Sequence, residues 1–355
     1  MPVPAPIRCR PVTTPAQHGP QAPGAPPGLT VVVIAPSLGH DLQWLRDVDP
    51  RITVVDGNTL TAGVEGGEHL LQAADVVLLG YPVPQGITAH APRLQWVHHT
   101  QAGVSNLHGT DLWQSGVILT SSRGAVGATG IAEYVLAGAY CFGRGLHEAT
   151  RQKAAAQFDR STYRLTSLTG ATIGVVGLGG IGREVARLAR AAGMRVLATR
   201  RSAASREHDT DGADVLLPAR DLTELAAASD YVAVCAPLTL QTRGMIGADV
   251  FAAMRPDSVL INVARGELVD EDALVAALRE GRIRGALLDV YDGELDGEPP
   301  RPELAELPQV ILTPHISARG DPEGSEPVRR LFADNLSRYL DGLPLLNRVD
   351  RARGY

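Results

Sequence analysis

Four side chains in the second half of this sequence have types and spacings that suit carbonyl chemistry: Arg265, Asp289, Glu294 and His315. They fall in NVARGELVD, GALLDVYDGE and TPHIS, each at or just beyond the C-terminal end of an apolar run. An arginine fork grips a carboxylate and polarises the carbonyl beside it. A histidine delivers a proton near neutral pH, and a carboxylate against the ring favours its charged form and fixes its orientation. Reduction of a 2-keto acid needs this combination, because a proton must reach the carbonyl oxygen as hydride reaches the carbon. Taken singly, each residue has a plainer role. Arginine after a strand often caps a helix or pairs at the surface, and a Pro-His pair is often a turn. Glu294 shares an acidic loop with Asp292, Asp296 and Glu298, and Asp289 could cap the next segment of chain. Their common placement at successive strand ends favours the chemical reading.

Hydride needs a carrier, and residues 171–201, ATIGVVGLGGIGREVARLARAAGMRVLATRR, supply the place for one. Gly177, Gly179 and Gly182 form G-x-G-x-x-G, which lets backbone turn tightly and approach a pyrophosphate at a helix start. With glycine at 38 of 355 positions, roughly 0.4 such matches arise by chance, so context must decide. A β-branched strand precedes the glycines. Val185, Leu188, Ala189 and Ala192 come next at helical spacing, Gly193 ends that helix, and residues 195–199 form the next strand. Where an NAD site would place an acid for the ribose 2′-OH stand Arg200 and Arg201, which suit a 2′-phosphate. The expected cofactor is NADP(H), with NAD(H) as the alternative.

The positioning elements are strands alternating with helices, which means parallel sheets with right-handed crossovers. In the first half, residues 29–35, 51–55, 76–80, 94–99 and 117–120 read as strands. A single long helical run is expected from about Ala128 to Ala156. After the glycine loop, residues 231–237, 258–264, 285–290 and 310–314 are apolar throughout, as strands covered on both faces should be. A last helix is expected from about Pro322 to Leu340. The expected fold is α/β, with two doubly wound parallel-sheet domains and a cleft between them. Residues 1–28, with nine prolines and three glycines, read as a disordered leader. Residues 29–121 with 319–355 form a flavodoxin-like substrate domain, and residues 122–318 a dinucleotide-binding domain.

Composition narrows the partners. A net charge of −6 and pI near 5.9 argue against nucleic acid and anionic membranes. No uncharged apolar run reaches the ~18 residues of a membrane span. Cys9, Cys141 and Cys235 are scattered and suggest neither a disulfide framework nor a zinc site, which fits a reducing cytoplasm. His98-His99 alternates across a strand, so one joint metal site is not expected; the chemistry is read as metal-free.

GLGGIG, NVARGELVDEDALVAAL, GALLDV and TPHIS, in this order, resemble the D-isomer-specific 2-hydroxyacid dehydrogenase family, from residue 29 to the end. The resemblance implies a homodimer reducing a small 2-keto acid of the glyoxylate or hydroxypyruvate kind to the D-2-hydroxy acid. It implies catalytic roles for Arg265, Glu294 and His315, and backbone contacts to the substrate carboxylate from Ala102, Gly103 and Val104. Toward the cofactor it implies Gly180 and Ile181 beside the glycines, Pro237 of the PLT segment (Pro237, Leu238, Thr239), Thr242 just beyond it, Ala264, and Asp289 at the nicotinamide amide. The sequence departs from the family where Glu-Pro is usual: Glu294 precedes Leu295, and the Glu-Pro pair is Glu298-Pro299, which leaves Glu298 as the alternative acid. His315 is followed by Ile-Ser-Ala in place of a small-glycine ending. The arginine pair resembles the NADP-using glyoxylate and hydroxypyruvate reductases. A phosphoglycerate-dehydrogenase-like NAD enzyme and a dinucleotide-sensing binding protein of the corepressor type are the competing readings.

Overall fold

The computed structural model describes residues 28–320 and 324–355. The expected leader lies outside the described residues apart from Gly28, as does the expected start of the last helix at Pro322. The chain builds two sheets. The first contains β1 (Leu29–Ile34), β2 (Ile52–Asp56), β3 (Val76–Leu79), β4 (Trp96–His99) and β5 (Ile118–Ser121), all parallel in the order β2-β1-β3-β4-β5. Alternation sorts its apolar residues to two faces. Val31, Val33, Val76 and Trp96 face one core; Val32, Ile34, Val77 and Val97 face the other. The helix Glu326–Leu340 covers the first of these faces, with Phe332 5.2 Å from Trp96 between ring centroids. Truncating such a buried ring to alanine costs about 3–5 kcal/mol.

The second sheet contains β6 (Thr172–Val176), β7 (Arg195–Arg200), β8 (Glu207–Thr210), β9 (Ala213–Pro218), β10 (Tyr231–Val234), β11 (Val259–Asn262), β12 (Gly285–Leu288) and β13 (Val310–Leu312). Its order is β13-β12-β11-β10-β6-β7-β9-β8, parallel except for the antiparallel β8–β9 pair. The order reverses between β6 and β10, and in such sheets ligands bind outside the carboxyl ends of the strands at that reversal. The β8–β9 hairpin is absent from the sequence reading. Its turn is Asp211-Gly212, both at positive φ, the dipeptide that two-residue hairpins favour.

The expected long helix is two. Ala128–Gly143 ends before Gly145, which takes φ +64°, and Leu146–Ala154 starts afresh. A Cβ at Gly145 would meet the Tyr163 ring at 2.8 Å, so the break is built into the packing. Among the described residues no helix is long and apolar enough to cross a membrane.

Candidate active site

The carboxyl ends of both sheets face one cleft of about 310 Å³. From the first sheet comes the loop after β4, with Ala102, Gly103, Val104 and Ser105; from the second come Gly179, Gly180, Ile181, Pro237, Ala264, Arg265 and His315. The two sets meet at Arg265. Its Nε donates to Ser105 Oγ at 3.2 Å and its Nη1 to the Ala264 carbonyl at 2.6 Å. Its Nη2 passes so close to Gly103 that a Cβ there would lie 2.6 Å away. Burial lowers the Arg265 pKa from its ordinary value, and the nearby Glu294 and Glu267 carboxylates oppose that shift. Ser105 is a residue the sequence reading missed, although it directly follows the loop singled out there.

His315 stands on a loop held by a buried carboxylate. Asp289, 0% exposed, accepts from Thr313 Oγ1 at 2.6 Å, Ile316 N–H at 2.8 Å and Ser317 N–H at 2.8 Å. The His315 N–H donates to the Asp289 carbonyl at 2.9 Å. His315 itself adopts φ +52°, an uncommon conformation for a side-chain-bearing residue, held here by its surroundings. Its Nδ1 lies 3.0 Å from Glu294 Oε1, in ion-pair range though not aligned as a hydrogen bond. The imidazole is 38% exposed and Glu294 8%, so the ring's outer edge faces the cleft while the carboxylate sits behind it. Glu298, the alternative acid, is exposed and packs against Gly293. The Asp289 carboxylate is wholly buried and takes its hydrogen bonds from the histidine loop. Thr242 donates to the Pro237 carbonyl at 2.7 Å and accepts from the Thr239 N–H at 2.8 Å, and so shapes the 237–242 turn.

The glycine loop fits a dinucleotide. Gly177 has φ +98°, and a Cβ there would strike Ala236 backbone at 2.8 Å; at Gly182 it would lie 2.2 Å from the Gly177 carbonyl oxygen. At Gly179 it would meet nothing within 4 Å, leaving space in front of the helix Gly180–Ala191, whose first N–H groups lack acceptors inside the helix. Arg200 and Arg201 close the far end. Arg200 is paired with Asp211 of the missed hairpin, which also takes Arg183 at 3.0 Å. Arg201 lies over the Tyr355 ring, 4.7 Å from its centroid, and Gly354 and Tyr355 line the cleft.

His98 and His99 point to opposite faces. His98 contacts Thr120 Oγ1 at 2.7 Å and Ser122 Oγ at 3.0 Å, whereas His99 donates from Nδ1 to the Leu79 carbonyl at 3.0 Å. Burial holds the first down to about 3 and the second to about 4.

Comparison with known proteins agrees with this geometry. The chain is 30% identical over 280 residues to the D-3-phosphoglycerate dehydrogenase of Methanocaldococcus jannaschii, covering 78% of this chain and 52% of that one. It thus spans about half the length of that relative. It is 32% identical over 274 residues to the glyoxylate reductase of Pyrococcus furiosus, covering 75% of this chain and 79% of that one. The crystal structure of a D-isomer specific 2-hydroxyacid dehydrogenase from Xanthobacter autotrophicus Py2, in complex with NADPH and MES, superposes with a TM-score of 0.73 at 27% identity, covering 93% of this chain and 100% of that one. The family model described as D-isomer specific 2-hydroxyacid dehydrogenase, NAD binding domain, matches residues 136–317. By fold, by the glycine loop and by these matches, the chain belongs to the D-isomer specific 2-hydroxyacid dehydrogenase family.

Proposed function

We propose that this protein reduces a small 2-keto acid of the glyoxylate or hydroxypyruvate kind to the D-2-hydroxy acid, with NADPH preferred over NADH. The observation that carries the reading is the His315–Glu294 contact at 3.0 Å, set in the same cleft as Arg265 and the glycine loop. The N–H groups of the first turn after Gly179 hold the pyrophosphate, and Pro237 and Ala264 border the nicotinamide half. When bound, the reduced nicotinamide supplies hydride to the carbonyl carbon. Arg265 grips the substrate carboxylate and polarises its carbonyl, with the Ala102–Val104 backbone closing on the other side. His315 gives its Nε2 proton to the carbonyl oxygen, while Glu294 beside Nδ1 holds the ring in place for the transfer. Closure of the cleft excludes water.

A second reading comes from the likeness to phosphoglycerate dehydrogenases: a phosphorylated 3-carbon keto acid with NADH. Steady-state oxidation of NADPH and NADH against glyoxylate, hydroxypyruvate, pyruvate and phosphohydroxypyruvate separates the two. Turnover of none of them, with dinucleotide binding intact, would turn the reading toward a binding protein. We also propose a homodimer. Tyr140, Leu146, Phe158 and Leu165 are exposed large hydrophobics within one stretch of sequence, Phe158 at 88%, more apolar surface than an isolated subunit needs to show. Light scattering of Phe158→Asp against the parent chain tests this.

A further inference from the structure

The two arginines after the glycine loop differ in electrostatic availability. Arg200 is held by Asp211, so its charge is already answered. Among the described residues no carboxylate stands within ion-pair range of Arg201; its partner is the Tyr355 ring at 4.7 Å. Stacking uses the face of a guanidinium and leaves its in-plane N–H donors free. Such an arginine keeps its full charge and donor fork for an anion and loses mainly its freedom to wander.

Tyr355 is delivered by the other domain. The segment that carries it joins the first sheet through the Val349 N–H, which donates to the Leu119 carbonyl at 2.8 Å, and through Arg351, which donates to the Leu112 carbonyl at 3.3 Å. It then turns at Gly354, φ +81°. There the Gly354 carbonyl accepts from His108 Nε2 at 3.3 Å, and a Cβ on this glycine would lie 3.5 Å from Thr239 of the nucleotide side. The ring therefore reaches across the cleft mouth, between the PLT turn and the end of β7.

We propose that Tyr355 is a positioning residue that holds Arg201 ready for the 2′-phosphate of the cofactor, making Arg201 and not Arg200 the residue that reads that phosphate. This rests on the dinucleotide reading above and deepens its NADPH preference. A 2′-phosphate carries close to two negative charges and offers oxygens to a planar fork; a guanidinium already oriented loses less freedom on meeting it.

The test is calorimetric Kd measurement on the full chain with NADPH and with NADH, which needs no turnover. Tyr355→Ala should weaken NADPH binding about three-fold, the worth of an exposed cation–π contact, with NADH unmoved. Tyr355→Phe, which keeps the ring, should restore the NADPH value. Arg201→Gln should abolish the preference, and Arg200→Gln should reduce it less. Equal weakening of both cofactors by Tyr355→Ala, no change in either, or tighter NADPH binding on loss of the ring would each overturn the proposal. A parent chain that binds neither dinucleotide would instead strike the functional reading itself.

Discussion

Gly103→Ala isolates the geometry of the site from the stability of the fold. The backbone at Gly103 has no positive φ, so alanine is free of backbone strain there. Its Cβ, however, would lie 2.6 Å from Arg265 Nη2 and 3.2 Å from Cζ, where about 3.5–4.0 Å is comfortable. The guanidinium must retreat by about 1 Å. It is the mobile end of a long side chain, so the retreat costs the fold little, within about 1 kcal/mol. The function should suffer far more, because the retreat breaks the 3.2 Å bond to Ser105 Oγ and moves the cation that meets the substrate carboxylate. A misplacement of about 1 Å at a reacting centre costs roughly 10²-fold, or about 3 kcal/mol of transition-state stabilisation. Steady-state kcat/KM with the best keto acid, thermal unfolding and cofactor Kd should be measured together. We expect kcat/KM to fall about 10²-fold while Tm and cofactor Kd hold. A variant within two-fold of the parent in kcat/KM, or one whose activity falls only with its stability, refutes the argument that Gly103 exists to admit Arg265.

Three further outcomes are expected. His315→Asn should lower kcat by ~10²-fold or more with cofactor affinity retained; an unchanged kcat rejects the proton-donor assignment. Asp289→Asn puts an amide where buried N–H donors converge, so urea unfolding should show a loss of about 1–3 kcal/mol, and parity with the parent would deny its role in holding the histidine loop. Burial holds His98 at about 3 and His99 at about 4, against about 6.5 in an unfolded chain. Above pH 6.5 both states leave these rings neutral and stability is flat in their terms. As pH falls from 6.5 through the folded values, only the unfolded chain takes up protons readily and stability is lost, by about 2 kcal/mol per histidine at pH 5. Urea unfolding at pH 7 and pH 5 should show this, and a His98→Asn variant with an undiminished difference would contradict it.

The strands around the site were legible because burial on both faces leaves continuous apolar runs, such as VVVI in β1 and VLI in β11. The residues at their carboxyl ends are picked out by the same pattern, which is why Arg265 and His315 stood out before any geometry. Three features escaped for distinct physical reasons. The helix break at Gly145 depends on a ring from Tyr163, which the local pattern does not contain. The hairpin strand β8 is polar and exposed, so no apolar alternation announces it; only its Asp-Gly turn does. Tyr355 and Arg201 are 154 positions apart, and nothing local to either residue predicts that they meet. The bonds of Asp289 to the loop beneath the histidine escaped as well, because their donors lie 24 to 28 positions further on.

The β8–β9 hairpin carries a consequence for how such a site can change over time. Asp211 sits at its exposed tip, and β8 is an edge strand whose residues face solvent or are half-buried. Substitutions there disturb little packing, within about 0.5 kcal/mol in general, yet they decide whether Arg200 is answered or left open. Charge at the rim of the nucleotide site can therefore be retuned by mutation in the hairpin without any toll on the core.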